Sequence, residues 1–241
     1  MTTNYDPIAE QYKRSKQQPW CVYVEAFTLM RLIGDPTGKK VIDIACGEGF
    51  YTRMIRQRGA AKVTGVDLSE KMIELARASE SEQRLGIDYI VGDGRDLGVT
   101  ADYDLAVAAY FLNYAHDRAE LNAMCSGIAR CLKPGGRFVL GVPNCVNLRK
   151  RITVPLGIGK WSRMSDWYEE PVFRAHVREP DVDDLWYIAR DMSLKNPQIL
   201  GRNWLAYDSP FSIVRLLIPM LDGPLRFFPR LCANIYLTGT T

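Results

Sequence analysis

One ten-residue stretch, Val41 to Phe50 (V-I-D-I-A-C-G-E-G-F), constrains the fold of this 241-residue chain more than any other. Its apolar, β-branched run stops at Gly47-Glu48-Gly49, and an amphipathic helical pattern begins at Phe50. This order predicts a strand, a tight turn and a helix. Because glycine lacks a Cβ atom, the turn can approach a ligand closely while N–H groups of the following helix point at that ligand. The stretch therefore predicts a ligand site at the end of the strand.

Strand and helix patterns alternate after this stretch at the spacing of βα units. The predicted strands cover residues 40–45, 62–67, 87–91, 104–109 and 137–142, and the predicted helices cover 50–58, 69–78 and 119–132. Continuous apolar strands such as Leu105 to Ala109 are typical of a parallel sheet covered on both faces. We therefore expect an α/β, Rossmann-like fold with a mostly parallel sheet, helices on both faces and a C-terminal antiparallel strand near residues 233–238.

The chain is expected to form one domain with four segments. Two helices precede the core in residues 1–38, the core spans 39–143, an inserted segment spans 144–205, and a helix near 210–218 and the last strand fill 206–241. The inserted segment shows neither a clean helical period nor a clean strand period, but it is rich in aromatic side chains. These are Trp161, Trp167, Tyr168, Phe173, Trp186, Tyr187 and Trp204. They are expected to line a substrate pocket, to form a small satellite core, or both.

Composition excludes several classes of protein. The net charge is only +3, and the basic residues are dispersed apart from Arg149, Lys150 and Arg151, so a dedicated nucleic-acid binder is not indicated. The six cysteines lack metal-ligand spacing, which favours reduced thiols and no metal site. No leader pattern or uninterrupted apolar span stands out, so we expect a cytoplasmic protein without membrane segments.

Three carboxylates mark the expected ligand site. Asp67 ends the second strand about 20 residues after the glycines, where it can accept both hydroxyls of an adenosine ribose, and Leu68 offers an apolar face to the adenine. Asp93 and Gly94 follow the third strand, where the edge of the base should lie. Asp43 lies within an apolar run, so it needs polar partners, and the N–H groups of the glycine turn are the expected ones.

Taken together, these motifs resemble those of the class I S-adenosylmethionine-dependent methyltransferases. Residues 41–142 carry that family's motifs in order: an acidic residue followed by Gly47 and Gly49, a ribose carboxylate, Gly-Asp, and Lys-Pro-Gly-Gly at 133–136. The resemblance implies S-adenosylmethionine as the cofactor and S-adenosylhomocysteine as the product. The third glycine of the dinucleotide motif G-x-G-x-x-G is missing, which disfavours a nicotinamide-dependent dehydrogenase.

The N-terminal stretch is similar to the lid helix of small-molecule methyltransferases, including glycine and sarcosine N-methyltransferases. That resemblance implies that Tyr12 and Trp20 contact the methionine part of the cofactor, and that Ala45 and Gly47 approach its amino acid end. Without it, packing of the first helices on the core is the favoured explanation for both aromatic residues. Residues 15–20 and 108–114, the latter including Ala109, look most like the toxoflavin synthase type of azapteridine N-methyltransferase.

The expected function is methyl transfer to a nitrogen or oxygen of a small heterocyclic or aromatic metabolite, by a monomer or homodimer with no nucleic-acid or membrane partner. Tyr110 and His116, just past the fourth strand, are candidate general bases, although His116 could equally be a helix-start residue. A nucleic-acid methyltransferase is disfavoured because Ala-Tyr-Phe-Leu stands at 109–112 instead of an Asn-Pro-Pro-Tyr-like tetrad. A non-catalytic S-adenosylmethionine-binding regulatory module stays open as an alternative.

Overall fold

A computed structural model describes residues 5–157, 179–203 and 223–241. The described residues form a seven-stranded sheet in the order β3-β2-β1-β4-β5-β7-β6. The strands are β1 Lys40–Ile44, β2 Lys62–Asp67, β3 Asp88–Val91, β4 Tyr103–Ala109, β5 Leu132–Pro143, β6 Lys195–Arg202 and β7 Asn234–Thr240. Strands β1 to β5 pair in parallel, and β7 lies antiparallel between β5 and β6. The mostly parallel α/β sheet with a C-terminal antiparallel strand is therefore confirmed.

Helices cover both faces of this sheet. They are α1 Ala9–Ser15, α2 Phe27–Ile33, α3 Phe50–Gln57, α4 Glu70–Glu82, α5 Arg118–Cys131, α6 Leu148–Thr153 and α7 Val182–Asp191. Alternate strand residues supply the two cores, because successive side chains of a strand point to opposite faces. Val41 and Leu105 pack with α2, α3 and α4, whereas Ile42 and Ala106 pack with α5 and α7. This double burial explains why the strands are continuous apolar runs.

The two helices predicted before the core are present, with a feature that the sequence did not indicate. A turn at residues 16–18 separates α1 from the second helical stretch, and the stretch Cys21–Ala26 is π-helical before it continues as α2. A π-helical turn is rare and frequently found at functional sites. In the described part of the chain, no helix is long and apolar enough to cross a bilayer.

Several predicted boundaries move. Helix α4 begins after Ser69, whose side chain accepts a hydrogen bond from the Met72 N–H, and runs to Glu82 rather than to residue 78. Strand β5 begins at Leu132 rather than at Arg137, because Leu132 pairs with Tyr103 before a register shift brings Arg137 opposite Leu105. The Lys-Pro-Gly-Gly motif at 133–136 therefore lies within an irregular strand.

The largest correction falls on residues 144–205, for which no regular element was predicted. Helix α7 and strand β6 lie there, and β6 pairs with β7 to form an edge of the sheet. The sequence hides β6 because its register shifts between Lys195 and Gln198, which interrupts the alternating pattern. Trp186 and Tyr187, on α7, are 46% and 59% exposed and do not form a satellite core.

Other predictions fall on residues outside the described ranges. These are the predicted helix near 210–218 and the side chains of Trp161, Trp167, Tyr168, Phe173 and Trp204.

Candidate functional site

A cavity of about 440 Å³ opens at the carboxyl ends of the parallel strands. This is the edge at which open α/β sheets bind ligands, and the volume suits a small-molecule ligand. The cavity brings together most of the residues that the sequence nominated. These are Tyr12, Ala45, Gly47, Asp67, Leu68, Asp93, Gly94, Ala109, Tyr110 and His116. Trp20, Asp43 and Gly49 do not line it.

The turn after β1 is held in an unusual backbone conformation. Ala45, Gly47 and Gly49 all have positive φ angles, of 58°, 57° and 85°. At Gly49 a side chain is also excluded sterically, since an added Cβ would lie 2.3 Å from the Tyr89 hydroxyl oxygen. Gly49 therefore allows the turn to pack against Tyr89, whereas Ala45 and Gly47 line the cavity.

Asp67 joins this turn to the start of α4. One carboxylate oxygen accepts a hydrogen bond from the Gly47 N–H at 2.8 Å, and the other accepts one from the Ser69 N–H at 2.9 Å. Burial raises the pKa of Asp67, and these two N–H groups counteract part of that rise. The Ser69 hydroxyl in turn donates to Asp6 at 2.5 Å, so the N-terminal segment is fastened to the same site.

Asp43 does not have the partners that the sequence suggested. Its buried carboxylate accepts a hydrogen bond from the Thr52 hydroxyl on α3 at 2.6 Å, whereas the Gly47 N–H bonds to Asp67. Burial raises the pKa of Asp43 to about 7. The prediction that glycine-turn N–H groups satisfy Asp43 is wrong, because the side chain ties the strand to α3 beneath the turn.

A chain of ion pairs closes one end of the cavity. The Arg95 guanidinium donates to both oxygens of Asp93 and to Glu120 on α5 at 2.7 Å. Glu120 also accepts from the His116 backbone N–H at 2.9 Å, and its carboxylate lies 2.9 Å from the imidazole Nδ1. Asp93 and His116 therefore lie together at this end.

A second cavity, of about 280 Å³, adjoins the first. Four tyrosines line both cavities: Tyr5, Tyr12, Tyr110 and Tyr114. Trp20 lines only the second cavity, and His116 lines only the first. The two residues are thus placed on opposite sides of the tyrosine boundary.

A buried polar cluster, comprising Lys16, Glu25, Tyr51, Tyr110 and Asn234, lies beneath this boundary. Lys16 donates to Glu25 at 3.0 Å and to the Tyr51 hydroxyl at 3.3 Å. The Tyr110 hydroxyl donates to the other Glu25 oxygen at 2.7 Å and accepts from the Asn234 amide at 2.8 Å. The cluster therefore links the N-terminal helices to the ends of β4 and β7.

Aromatic rings surround the Lys16 ammonium. Its Nζ lies 5.2, 4.8 and 5.4 Å from the ring centroids of Tyr12, Tyr51 and Tyr110. Burial lowers the pKa of Lys16, but Tyr12 and Glu25 more than offset this and leave it above its usual value. Lys16 is therefore a charged ammonium paired with Glu25.

Sequence reasoning missed this cluster. The signal for Glu25 was a carboxylate in the middle of the apolar pattern that predicted the second helix, where an unpaired charge would be unfavourable. Lys16 gave no such signal, because it stands among polar residues at the end of α1 and becomes buried only in the folded chain.

The environment of Tyr110 bears on its predicted role as a base. Burial first, and then the nearby Glu25 carboxylate, hold the Tyr110 pKa well above its usual value. Its hydroxyl proton is also directed at Glu25. The side chain is thus a neutral hydrogen-bond donor, and its positive φ of 62° indicates a strained backbone at the boundary between the cavities.

The first cavity fits an elongated ligand that combines a flat base, vicinal hydroxyls and a polar chain. Leu68 offers apolar surface, Asp67 offers carboxylate oxygens, and the turn at Ala45 and Gly47 offers a backbone path. A Cβ built on Gly47 would approach the Tyr12 ring at 3.5 Å, so the missing side chain leaves room beside that ring. Within residues 5–157, 179–203 and 223–241, no group of three or more acidic, histidine or cysteine side chains could hold a metal ion.

Comparison with known proteins agrees with this geometry. Residues 41–136 match the family model of a methyltransferase domain. The chain is 33% identical over 109 residues to a ubiquinone biosynthesis O-methyltransferase of Pseudomonas aeruginosa, covering 44% of this chain and 45% of that relative. It thus spans less than half the length of the curated relatives that it matches.

Solved structures resemble nearly the whole chain. A methyltransferase from Thermotoga maritima superposes with a TM-score of 0.68 at 16% identity, covering 98% of this chain and 97% of that one. Phosphoethanolamine N-methyltransferase 2 of Haemonchus contortus, solved with S-adenosyl-L-methionine, superposes with a TM-score of 0.63 at 16% identity, covering 98% and 57%. The fold is therefore the Rossmann-like fold of these methyltransferases, and residues 41–136 match a methyltransferase domain.

Proposed function

We propose that this chain transfers the methyl group of S-adenosylmethionine to a nitrogen or oxygen of a small heterocyclic or aromatic metabolite. The observation that carries the proposal is the first cavity, in which Asp67 and the Gly47 turn meet at the ends of β1 and β2. The cavity opens toward a second one across a boundary of tyrosines. One cavity would hold the donor and the other the acceptor.

The proposed donor site assigns a part of the cofactor to each wall. Asp67 accepts the two ribose hydroxyls, since a carboxylate has about four lone-pair sites and its two N–H bonds occupy only some of them. Leu68 and the backbone at Asp93 and Gly94 flank the adenine. Ala45 and Gly47 face the amino acid end, with Tyr12 beside them. Ala109 and Tyr110 lie where the methyl group would be presented.

Alignment would be the main contribution of the protein. The sulfonium group supplies an already activated methyl group when the cofactor is bound. The chain's own residues must therefore hold the acceptor atom in line with that group and exclude water. The hydrogen bond between Asp6 and Ser69 and the buried cluster around Lys16 support this, because both fasten the N-terminal helices over the site.

The chemical nature of the acceptor is the less defined part of the proposal. The curated relatives are named O-methyltransferases, which favours an oxygen acceptor. A structural neighbour is named an N-methyltransferase, and the sequence resembles the azapteridine N-methyltransferases, which favours a ring nitrogen. The aromatic boundary between the cavities supports a flat acceptor in either case.

Calorimetric titration with S-adenosylhomocysteine tests the donor site. The wild-type protein is expected to bind it with micromolar affinity, about 8 kcal/mol. The Asp67→Ala variant is expected to bind it more weakly by about 2 kcal/mol, because hydrogen bonds to a charged group are lost.

Two controls make this titration decisive. Asp88→Ala removes an exposed carboxylate on β3 that pairs with Lys62, and it should leave the affinity unchanged. NADH should produce no heat of binding. Binding of NADH alone would overturn the proposal in favour of a dehydrogenase, and equal affinities of wild type and Asp67→Ala would place the ribose elsewhere.

A further inference from the structure

We propose that the second cavity receives the methyl acceptor, that Glu25 is the catalytic base there, and that the acceptor is a neutral, flat molecule with an N–H or O–H group. This inference rests on the proposed methyltransferase function. It adds a residue and a substrate class that neither the family resemblance nor the matched domain supplies, since Glu25 lies outside residues 41–136.

The arrangement of the two cavities places the reacting atoms at their boundary. The first cavity runs from the ion pairs around Asp93 to the turn at Ala45 and Gly47. Tyr12 and Tyr110 line this latter end and also line the second cavity. If the amino acid end of the donor lies at the turn, its sulfonium lies beside these two tyrosines, and an acceptor can reach it from the second cavity.

Among the described residues lining the second cavity, Glu25 is a carboxylate that is hydrogen-bonded directly to this boundary. Its oxygens accept hydrogen bonds from Lys16 at 3.0 Å and from Tyr110 at 2.7 Å, and Tyr110 is a boundary residue. Glu179, the other carboxylate among the described lining residues, is paired with Lys150. Glu25 is 3% exposed, and a carboxylate with two such bonds retains lone pairs for a further donor.

The other candidate bases are less suitable. His116 lines the first cavity but not the second, and its imidazole contacts the Glu120 carboxylate. Tyr110 is neutral, and its hydroxyl donates a hydrogen bond to Glu25. Both observations leave Glu25 as the group positioned to receive the proton of an acceptor.

The proposed step conserves atoms and charge. The acceptor nitrogen or oxygen forms a bond to the methyl carbon, and the bond between that carbon and sulfur breaks with its electron pair remaining on sulfur. The proton of the acceptor passes to the Glu25 carboxylate. Because the attacking atom becomes strongly acidic as it gains the methyl group, a carboxylate can accept its proton. The positive sulfonium and the negative carboxylate thus disappear together.

The lining of the second cavity indicates the acceptor class. Trp20 and the shared tyrosines offer flat apolar faces, which suit an aromatic or heterocyclic ring. The two carboxylates are each paired with a lysine, as Lys16–Glu25 and Lys150–Glu179. Arg149 lines the cavity as well, so three basic side chains accompany the two carboxylates. This lining disfavours a cationic acceptor, whereas a neutral ring needs no counter-charge there.

The test measures methyl transfer from tritiated S-adenosylmethionine to catechol and to lumazine, which are flat neutral probes with O–H and N–H groups. We expect the wild-type protein to methylate at least one of them. Glu25→Gln should lower kcat at least 100-fold for that probe while S-adenosylhomocysteine affinity stays within threefold. Glu10→Gln, which removes an exposed carboxylate on α1, should leave both values unchanged.

A double variant separates chemistry from folding. Glu25→Gln leaves the buried Lys16 charge unpaired and so could unfold the N-terminal helices, whereas Lys16→Gln with Glu25→Gln leaves a neutral pair. The double variant should fold and bind S-adenosylhomocysteine but remain at least 100-fold impaired. Recovery of turnover in it would show that Glu25 only balances Lys16, and would overturn the base assignment.

The remaining outcomes are also distinct. Binding of S-adenosylhomocysteine by the wild type without methylation of either probe would overturn the proposed acceptor class. Absence of S-adenosylhomocysteine binding would instead reject the proposed function on which the inference rests.

Discussion

Asp43 and Asp67 show how two similar carboxylates at adjacent strand ends take different roles. Asp67 lines the cavity and accepts hydrogen bonds from two backbone N–H groups, whereas Asp43 is buried beneath the turn and bonds to Thr52. The difference follows from the position of each residue relative to the turn. Asp43 is therefore a support of the site, and its ionisation affects the stability of the fold.

We predict that the free energy of unfolding falls as the pH rises toward and through 7 because of Asp43. Burial raises the pKa of Asp43 from 3.8 to about 7, with Asp67 raising it further and Thr52 and Lys16 opposing the rise. Between these values the folded state keeps a proton that the unfolded state has lost, so the stabilisation is complete below about pH 4 and lost above about pH 7.

Asp43→Asn should remove this dependence, because the amide oxygen can still accept the Thr52 hydrogen bond but carries no charge. Chemical denaturation at pH 5 and pH 8 measures it. The variant should gain stability relative to the wild type at pH 8, by at most roughly 4 kcal/mol. Asp88→Asn, on the surface, should follow the wild-type curve. Parallel curves for the wild type and Asp43→Asn would contradict the prediction.

For single residues, the sequence predicted which side chains belong to the site better than it predicted their hydrogen-bond partners. Strand ends and glycines are local signals, so Asp67, Gly47 and Gly94 could be placed at one edge of the sheet from the chain alone. The pairing of Lys16 with Glu25, and of Tyr110 with Asn234, depends on how distant segments pack. No periodicity within a single segment carries that information.

Among the elements, helix α5 shapes the first cavity through one close backbone contact. A Cβ built on Gly127 in α5 would lie 2.5 Å from the Gly94 carbonyl oxygen and 2.9 Å from that of Arg95. Gly127 thus lets the helix press against the loop after β3. That loop supplies Asp93 and Gly94 to the cavity wall.

We predict that Gly127→Ala destabilises the protein by about 1–3 kcal/mol, the usual range for an overpacked contact. Replacing glycine by alanine at an exposed helix position would instead stabilise the protein by up to about 1 kcal/mol. The sign of the change in unfolding free energy therefore shows whether steric overlap or helix propensity dominates. S-adenosylhomocysteine affinity should also fall, because Gly94 is displaced. Ser126→Ala, at an exposed neighbouring position, is the control for thermal unfolding and calorimetry. A more stable variant with intact affinity would show that the loop yields easily.

Element prediction succeeded where burial on both faces produced long apolar runs, and it failed at the edge of the sheet. Strand β2 has the predicted bounds, Lys62–Asp67. Strand β6 contains Pro197, is partly exposed and, among the described strands, pairs only with β7, so its sequence lacks both the apolar run and the regular alternation. Its place in the sheet is set by β7, which lies far away in the sequence.

For the molecule as a whole, we predict a gradient of stability across the sheet. Strands β1, β4 and β5 are central and buried, whereas the edge strand β3 exposes Ile90 and Val91 by 48% and 40%. Amide hydrogen exchange should therefore be slowest in the central strands and faster in β3. S-adenosylhomocysteine should slow exchange mainly at residues 45–49 and 67–69. Uniform exchange across the sheet would contradict this gradient.

The two cavities draw on different parts of the chain, and this bears on how such a protein can diverge. Apart from Tyr5, Asp6 and Tyr12, the first cavity is built from residues within the matched range 41–136. The second takes its walls from both flanks of that range, apart from Tyr110 and Tyr114. Under the proposed assignments, a lineage could inherit the donor module unchanged while its flanks drift toward new acceptors. A chimera in which a relative's sequence replaces residues 41–136 would then keep the acceptor preference of this chain, because its flanks are unchanged.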